Sequence, residues 1–197
     1  MLYLRQGDYP DMEYKTRLGL EGPQPKTTIA TSGCGLCCAC MIVENLTTKK
    51  LTLEQAIQIS YDAKANWNVG TTMRLLAPRL AELYDLEYRA TGDLEELAEH
   101  LRRGGMAILN MSRRKDGQIG LFSKGGHFIT AVSIDGDELC VLDPDFSERK
   151  FDIPERKGRV RVDFPFLYCA LREIEDEGSP TAQDGKFIHL FRRKKPE

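Results

Sequence analysis

The chain has 197 residues, of which 41% are hydrophobic and 29% charged, with a formal net charge of −2 at pH 7. This length suits one domain with its own hydrophobic core, covering residues 1–197. The charge balance argues against nucleic acid or another polyanion as a partner, because proteins that bind them are typically basic.

The sequence contains no apolar run long enough to span a membrane, and Met1–Asp8 lacks the apolar core of a signal peptide. We therefore expect a cytoplasmic protein without a membrane partner. A secreted form whose leader has been removed is the alternative.

The predicted elements change from helical to strand-like periodicity near residue 105. Residues 1–26 are predicted to form an extended arm on the surface, and residues 192–197 a solvated basic tail. Helices are predicted over Cys34–Asn45, from a Thr52 cap to about Ala63, and over Met73–Tyr84 and Asp93–Leu101. Strands are predicted over Met106–Met111, His127–Ile134, Glu138–Leu142, Arg161–Phe164 and Phe187–Phe191. Helices followed by strands indicate an α+β fold.

Cys34 is the candidate nucleophile. It lies between Gly33 and Gly35, directly before an apolar run, and Ser32 or Thr31 is predicted to cap a helix that starts at the cysteine. The free N–H groups and dipole of such a helix favour the thiolate, the form that attacks a carbonyl carbon. The alternative is a buried helix whose cysteines serve as small hydrophobic residues.

His127 is the best candidate for the general base. It follows Gly125-Gly126 at the start of a predicted strand, where two glycines permit close approach by another chain. His100 lies late on a charged amphipathic helix and is expected at the surface. His189 lies in the terminal strand, pointing opposite to its apolar neighbours.

Asp143 ends the strand that pairs with that of His127, because Asp135-Gly136-Asp137 predicts a hairpin between them. The hairpin would place this carboxylate beside the imidazole, and Pro144 would fix its direction. An ordinary acidic turn residue before proline is the alternative.

Three segments together, Ser-Gly-Cys-Gly at 32–35, Gly-Gly-His-Phe at 125–128 and Leu-Asp-Pro at 142–144, resemble the C39-like, papain-related cysteine peptidases of bacteria. The similarity extends from Gln6 to about Asp145 and includes the loop Asn68–Thr71. It implies a papain-like fold in which N-terminal helices pack on a C-terminal antiparallel sheet. It also implies that Cys34 is the nucleophile, His127 the base and Asp143 the residue that orients it.

The resemblance further implies a glutamine that helps to hold the oxyanion together with the N–H of Cys34. Gln6, in Gln6-Gly7-Asp8, matches the family pattern better than Gln24, which lies between prolines. An ordinary surface glutamine is the alternative for both.

The chain departs from the family pattern at the nucleophile helix, where Leu36 replaces a proline and Cys37, Cys38 and Cys40 replace small or apolar residues. The Cys-x-x-Cys spacing raises the alternative of a metal or redox site. Successive helical residues point about 100° apart, so only two or three of these sulfurs share a face. The cysteines lack the spacing of a disulfide framework, and reduced thiols are expected.

The sequence therefore predicts a cysteine peptidase or amidase that acts on a peptide or related amide and needs no metal or cofactor. Three alternatives stay open at this point. In the first, the same triad transfers the acyl group to an amine. In the second, the fold is a non-catalytic binding module. In the third, the cysteine cluster holds a metal.

Overall fold

The structure is a computed structural model that describes residues 1–17, 26–67, 70–179 and 185–194. In these residues the chain forms a short 3₁₀ turn at Gln6–Asp8, six α-helices and seven strands. The helices are α1 (Ile29–Ser32), α2 (Cys34–Leu46), α3 (Leu53–Asp62), α4 (Met73–Tyr84), α5 (Leu94–Arg102) and α6 (Leu171–Glu177). The strands are β1 (Leu86–Thr91), β2 (Met106–Met111), β3 (His127–Asp135), β4 (Glu138–Leu142), β5 (Val160–Asp163), β6 (Phe166–Ala170) and β7 (Ile188–Arg193).

The seven described strands form one antiparallel sheet in the order β1-β7-β2-β3-β4-β6-β5. The predicted hairpin joins β3 to β4, and Gly136 at its turn has φ +56°, a left-handed conformation that favours glycine. The α+β prediction is therefore confirmed, with an antiparallel sheet as expected.

Helices cover both faces of the sheet. Helix α2 is buried along most of its length and packs with α4 against one face, where Ile108, Phe128 and Phe191 point. Helix α3 packs on α2 and α4. Helices α5 and α6 cover the other face, which carries Leu109 and Ile129. The packing of the N-terminal helices on the sheet is confirmed, whereas the layer on the opposite face was not predicted.

The capping box of α3 has the predicted form. The N–H of Gln55 donates to Thr52 Oγ1 at 3.3 Å, and the N–H of Thr52 donates to Gln55 Oε1 at 3.0 Å. Both ends of α4 lie at the predicted residues, and α2 extends one residue beyond its predicted end.

The C-terminal prediction needs correction. Arg192 and Arg193 belong to β7 and pair with Glu87 and Leu86 of β1, so the predicted solvated tail begins inside the sheet. Arg192 Nε donates to Glu87 Oε2 at 2.6 Å. The charge run alone does not indicate a strand, because the strand that pairs with it lies about a hundred residues earlier in the sequence. Residues 195–197 lie outside the described part.

Among its described residues, 1–17 and 26, the N-terminal arm lies partly in the interior and not wholly on the surface as predicted. The Tyr14 side chain is fully buried, and its hydroxyl lies 2.8 Å from Ser60 Oγ and 3.0 Å from Thr71 Oγ1. Gln6 is also buried. The arm is drawn inward because an aromatic side chain and its hydroxyl gain partners in the core. Gln24, Asn68 and Val69 lie outside the described residues.

Within the described residues, no helix combines the length and apolarity needed to cross a bilayer. That residues 1–197 form a single domain stays a prediction.

Candidate active site

Cys34 is the first residue of α2, as predicted, but the helix is capped differently. Gly33 occupies the cap position with φ −93° and ψ 4°, and no side chain caps the helix. The predicted cap by Ser32 or Thr31 is wrong because both residues belong to the short helix α1. Thr31 Oγ1 there accepts the N–H of Thr28 at 3.0 Å. The start of α2 therefore carries no side-chain acceptor over its first N–H groups.

The two glycines beside Cys34 allow close packing of the chain. A Cβ atom at Gly33 would lie 2.6 Å from the carbonyl oxygen of Ile29. A Cβ atom at Gly35 would lie 2.9 Å from Thr71 Cβ and 3.2 Å from Phe128 Cδ2. Because Phe128 follows His127 in β3, the missing side chain at Gly35 brings the start of α2 against the residue next to the predicted base.

His127 and Asp143 are brought together by the β3–β4 hairpin. The Nε2 atom of His127 lies 2.7 Å from Asp143 Oδ1, and both side chains are buried. The pairing of Thr130 with Leu142 sets the register that places Asp143, just past β4, near the first residue of β3. Asp143 Oδ1 also accepts the N–H of Asp145 at 2.9 Å, which fixes the carboxylate.

The electrostatics of this group favour an ionised cysteine and a protonated histidine. Burial opposes ionisation of Cys34, but its hydrogen bond with His127 and the charge of that ring outweigh burial and lower the thiol pKa. Burial also disfavours the imidazolium, yet the charge and hydrogen bond of Asp143 raise the pKa of His127 to about 9. Against its own burial, His127 and Lys150 hold the pKa of Asp143 well below its usual range. The arrangement therefore stabilises a thiolate–imidazolium pair.

Lys150 is a member of this site that the sequence analysis missed. Its Nζ atom lies 2.7 Å from Asp143 Oδ2 and 3.2 Å from Asp145 Oδ2, and its side chain is only 6% exposed. In sequence, Arg149–Arg161 resembles a charged connection. The one available signal was Phe151, because an aromatic residue in a charged segment indicates local burial; its side chain is 7% exposed.

Gln6 lies between α1, the short helix just before Cys34, and the turn at Asp143. Its backbone N–H donates to the Pro144 carbonyl at 2.8 Å, and its Nε2 donates to the Ala30 carbonyl at 2.8 Å, four residues before Cys34. An amide nitrogen has two N–H donors, so one bond to Ala30 leaves a second donor. Tyr3 secures the same turn by donating its hydroxyl hydrogen to the Asp143 carbonyl at 2.8 Å.

The other two histidines have different surroundings. His100, expected at the surface, is half-buried, and its Nε2 lies 2.8 Å from the carbonyl oxygen of Phe191. The absence of a side chain at Gly105 makes room for this ring, which explains why the surface prediction was wrong. His189 is buried, with Nδ1 3.0 Å from the Tyr88 hydroxyl.

Cys34 differs electrostatically from the other thiols of α2. Cys37, Cys38 and Cys40 are fully buried in the core, and burial raises the pKa of each. All six cysteines of the chain are free thiols. In the described part of the chain, no group of three or more His, Cys, Asp or Glu side chains is arranged to hold a metal ion.

The glycines before His127 border open space. Both Gly125 and Gly126 are exposed, and a Cβ atom at either would meet no atom of the chain within 4 Å. The predicted close approach therefore has no partner among the described residues of this chain.

The fold is similar to that of papain-like C39 peptidase domains. The peptidase domain of Streptococcus ComA, a bi-functional ABC transporter involved in quorum sensing, has a TM-score of 0.52 and 13% identity, covering 92% of this chain and 99% of that one. A C39-like peptidase from Bacillus anthracis has a TM-score of 0.53 and 10% identity, covering 83% and 90%. A double glycine motif protease from an AMS/PCAT transporter, in complex with the leader peptide, has a TM-score of 0.49 and 14% identity, covering 93% and 96%.

No protein-family model matches the chain, and no curated protein matches it. At these identities the structural similarity establishes the fold, and it confirms the resemblance to C39 peptidases noted from the three sequence segments.

Proposed function

We propose that the protein is a papain-like thiol hydrolase that cleaves peptide or related amide bonds through an acyl-enzyme on Cys34. The observation that carries this proposal is the buried His127–Asp143 pair, joined at 2.7 Å, together with the electrostatic interaction of His127 with Cys34. The hydrogen bonds and charges of these three residues lower the pKa of the Cys34 thiol and raise the pKa of the His127 imidazole. A nucleophile, a base and an orienting group in this order are what thiol acyl transfer requires.

In the proposed reaction, the Cys34 thiolate attacks the carbonyl carbon and a C–S bond forms. The imidazolium of His127 then gives its proton to the leaving nitrogen as the C–N bond breaks. Because Nε2 of His127 is bonded to Asp143, Nδ1 is the ring atom assigned to this transfer. The neutral imidazole next takes a proton from water, whose oxygen attacks the thioester and releases the acid and the thiolate.

The developing oxyanion is assigned to the N–H of Cys34 and to the second N–H of the Gln6 amide. The start of α2 supports this role because its cap residue, Gly33, brings no competing side-chain acceptor. The position of Gln6 supports it because its two hydrogen bonds fasten it to the Ala30 and Pro144 carbonyls on both sides of the site.

A mixture of synthetic peptides, with new termini identified by mass spectrometry, tests the proposal. Wild-type protein should generate new termini, Cys34→Ala should generate none, and the control Cys140→Ala should behave as wild type. Added hydroxylamine should yield hydroxamates at the same cleavage points, because an amine that intercepts an acyl-enzyme takes the acyl group. Cleavage that persists in Cys34→Ala, or its absence in wild type, would overturn the proposal.

The hydroxylamine arm also addresses acyl transfer. If a natural amine acceptor replaces water, products carrying that amine would dominate over free acids when candidate amines are supplied.

A further inference from the structure

Lys150 makes a buried ion pair with the proposed orienting residue. Its Nζ atom lies 2.7 Å from Asp143 Oδ2, while Asp143 Oδ1 receives His127 Nε2 at 2.7 Å. The two oxygens of one carboxylate therefore face a lysine and a histidine. Since Asp143 is fully buried, both contacts are shielded from water and are stronger than at the surface.

The segment that carries Lys150 is held in place by the surrounding protein. Arg156 is buried, and it donates from Nη1 to the Lys150 carbonyl at 3.2 Å and from Nε to the Gly120 carbonyl at 2.8 Å. The neighbouring Phe151 packs edge-on against Phe122, with ring centroids 6.2 Å apart. These contacts fix the backbone at Lys150 and so hold its ammonium group beside Asp143.

Lys150 also lies within a small balanced set of charges. Burial raises the pKa of both Tyr3 and Cys38, which keeps these neighbours of Asp143 neutral. The carboxylate of Asp145 is 60% exposed and lies 3.2 Å from the ammonium. The groups facing Asp143, His127 and Lys150 from the packed segments are Tyr3, Cys34, Cys38, Asp145 and Arg156.

We propose that Lys150 is a positioning residue of this site. It holds Asp143 so that Oδ1 faces His127, and its positive charge offsets part of the carboxylate charge beside the imidazole. The inference rests on the proposed function, because it assigns Lys150 a role in preparing the Cys34–His127 pair. Its predicted consequence has a definite sign. Removing a nearby positive charge favours protonation of every group in the site, so the ionisations of Cys34 and His127 both move to higher pH.

The test is the rate of Cys34 alkylation by iodoacetamide as a function of pH, which needs no substrate. Lys150→Met, which keeps the side-chain length and removes the charge, should shift the profile to higher pH. At the pH of the wild-type half-maximum its rate should be lower by about threefold or more. Lys150→Arg should keep the wild-type profile, and Asp145→Asn, which removes a negative charge, should shift it to lower pH.

Lys157→Met is the matched control, because it removes the same charge from an exposed position on the same segment. A purely structural role of Lys150 would lower the thermal stability of Lys150→Met and leave the pH profile of its folded fraction unchanged; that result would overturn the inference. If Lys150→Met does not fold, Asp145→Asn provides the test. An unchanged pH profile of Cys34 alkylation in Asp145→Asn would then overturn the inference.

Failure of this inference is separable from failure of the proposed function. A wild-type Cys34 that is selectively reactive and depends on His127 supports the function whatever the Lys150 variants do. A wild-type Cys34 no more reactive than the other thiols removes the function, and the role of Lys150 with it.

Discussion

Gly35 sets how closely helix α2 approaches the sheet. Its missing side chain leaves room for Thr71 and Phe128, and Thr71 cannot easily withdraw because its Oγ1 lies 3.0 Å from the buried Tyr14 hydroxyl. A methyl group at this position would have to displace either a hydrogen-bonded side chain or a strand residue next to His127. The spacing between α2 and β3 therefore depends on one absent side chain.

We predict that Gly35→Ala destabilises the fold by about 1–3 kcal/mol, as expected for overpacking a filled site. It should also slow alkylation of Cys34 by separating the thiol from His127. Urea denaturation measures the first effect, with Gly126→Ala as the control because a Cβ atom there meets nothing within 4 Å. Equal stability of the two variants would contradict this explanation.

The sequence pattern predicted that His127 and Asp143 meet, because Asp135-Gly136-Asp137 sets the hairpin between them. That Cys34 joins them was implied by the resemblance to C39-like peptidases. The sequence pattern was not sufficient for Lys150. That lysine reaches Asp143 because the chain folds back after β4 and Arg156 binds the Lys150 carbonyl. No periodic sequence pattern predicts this change of chain direction. The cap of α2 was mispredicted for a related reason, since a four-residue helix is too short to show periodicity.

At the scale of elements, pairing partners distant in sequence were the hardest to predict. Strand β1 was missed because it follows α4 directly, with few buried residues, and its partner β7 lies near the C-terminus. Strand β6 and helix α6 were missed as well. The helices with clear 3.6-residue periodicity and the β3–β4 hairpin were predicted to within about two residues.

The β1–β7 pair contains a histidine that should make the fold sensitive to acid. His189 is 4% exposed, and burial lowers its pKa to about 4. Its ordinary pKa is about 6.5, so the unfolded chain takes up the proton first as the pH falls. The stabilising contribution is thus fully present above pH of about 6.5 and is lost as the pH falls towards 4.

We predict that His189→Gln reduces the loss of unfolding free energy between pH 7 and 4.5 by about 2 kcal/mol relative to wild type. Urea titrations at the two pH values give this difference, and any constant effect of the substitution cancels. Tyr88→Phe is the control, because it removes the hydroxyl near Nδ1 while keeping the ring that stacks on His189. An equal acid loss in wild type and His189→Gln would show that His189 does not cause it.

At the scale of the whole molecule, three parts of the chain converge on one point. The N-terminal arm brings Gln6, the helical layer brings Cys34, and one end of the β3–β4 hairpin brings His127 and Asp143. Direct hydrogen bonds join the arm to the other two, from Gln6 to the Ala30 carbonyl of α1 and to the Pro144 carbonyl. The site is therefore assembled by tertiary packing and should be lost as a unit on unfolding.

The central claim is that His127 activates Cys34, and limiting iodoacetamide across pH 4 to 9 with mass-spectrometric mapping of each thiol tests it most directly. In wild type, Cys34 should be the fastest of the six cysteines near pH 6, and His127→Ala should slow it by about tenfold or more. His189→Gln, a substitution at the other buried histidine, should leave that rate unchanged. A Cys34 that reacts no faster than the other thiols, or that is indifferent to loss of His127, would contradict the proposed mechanism.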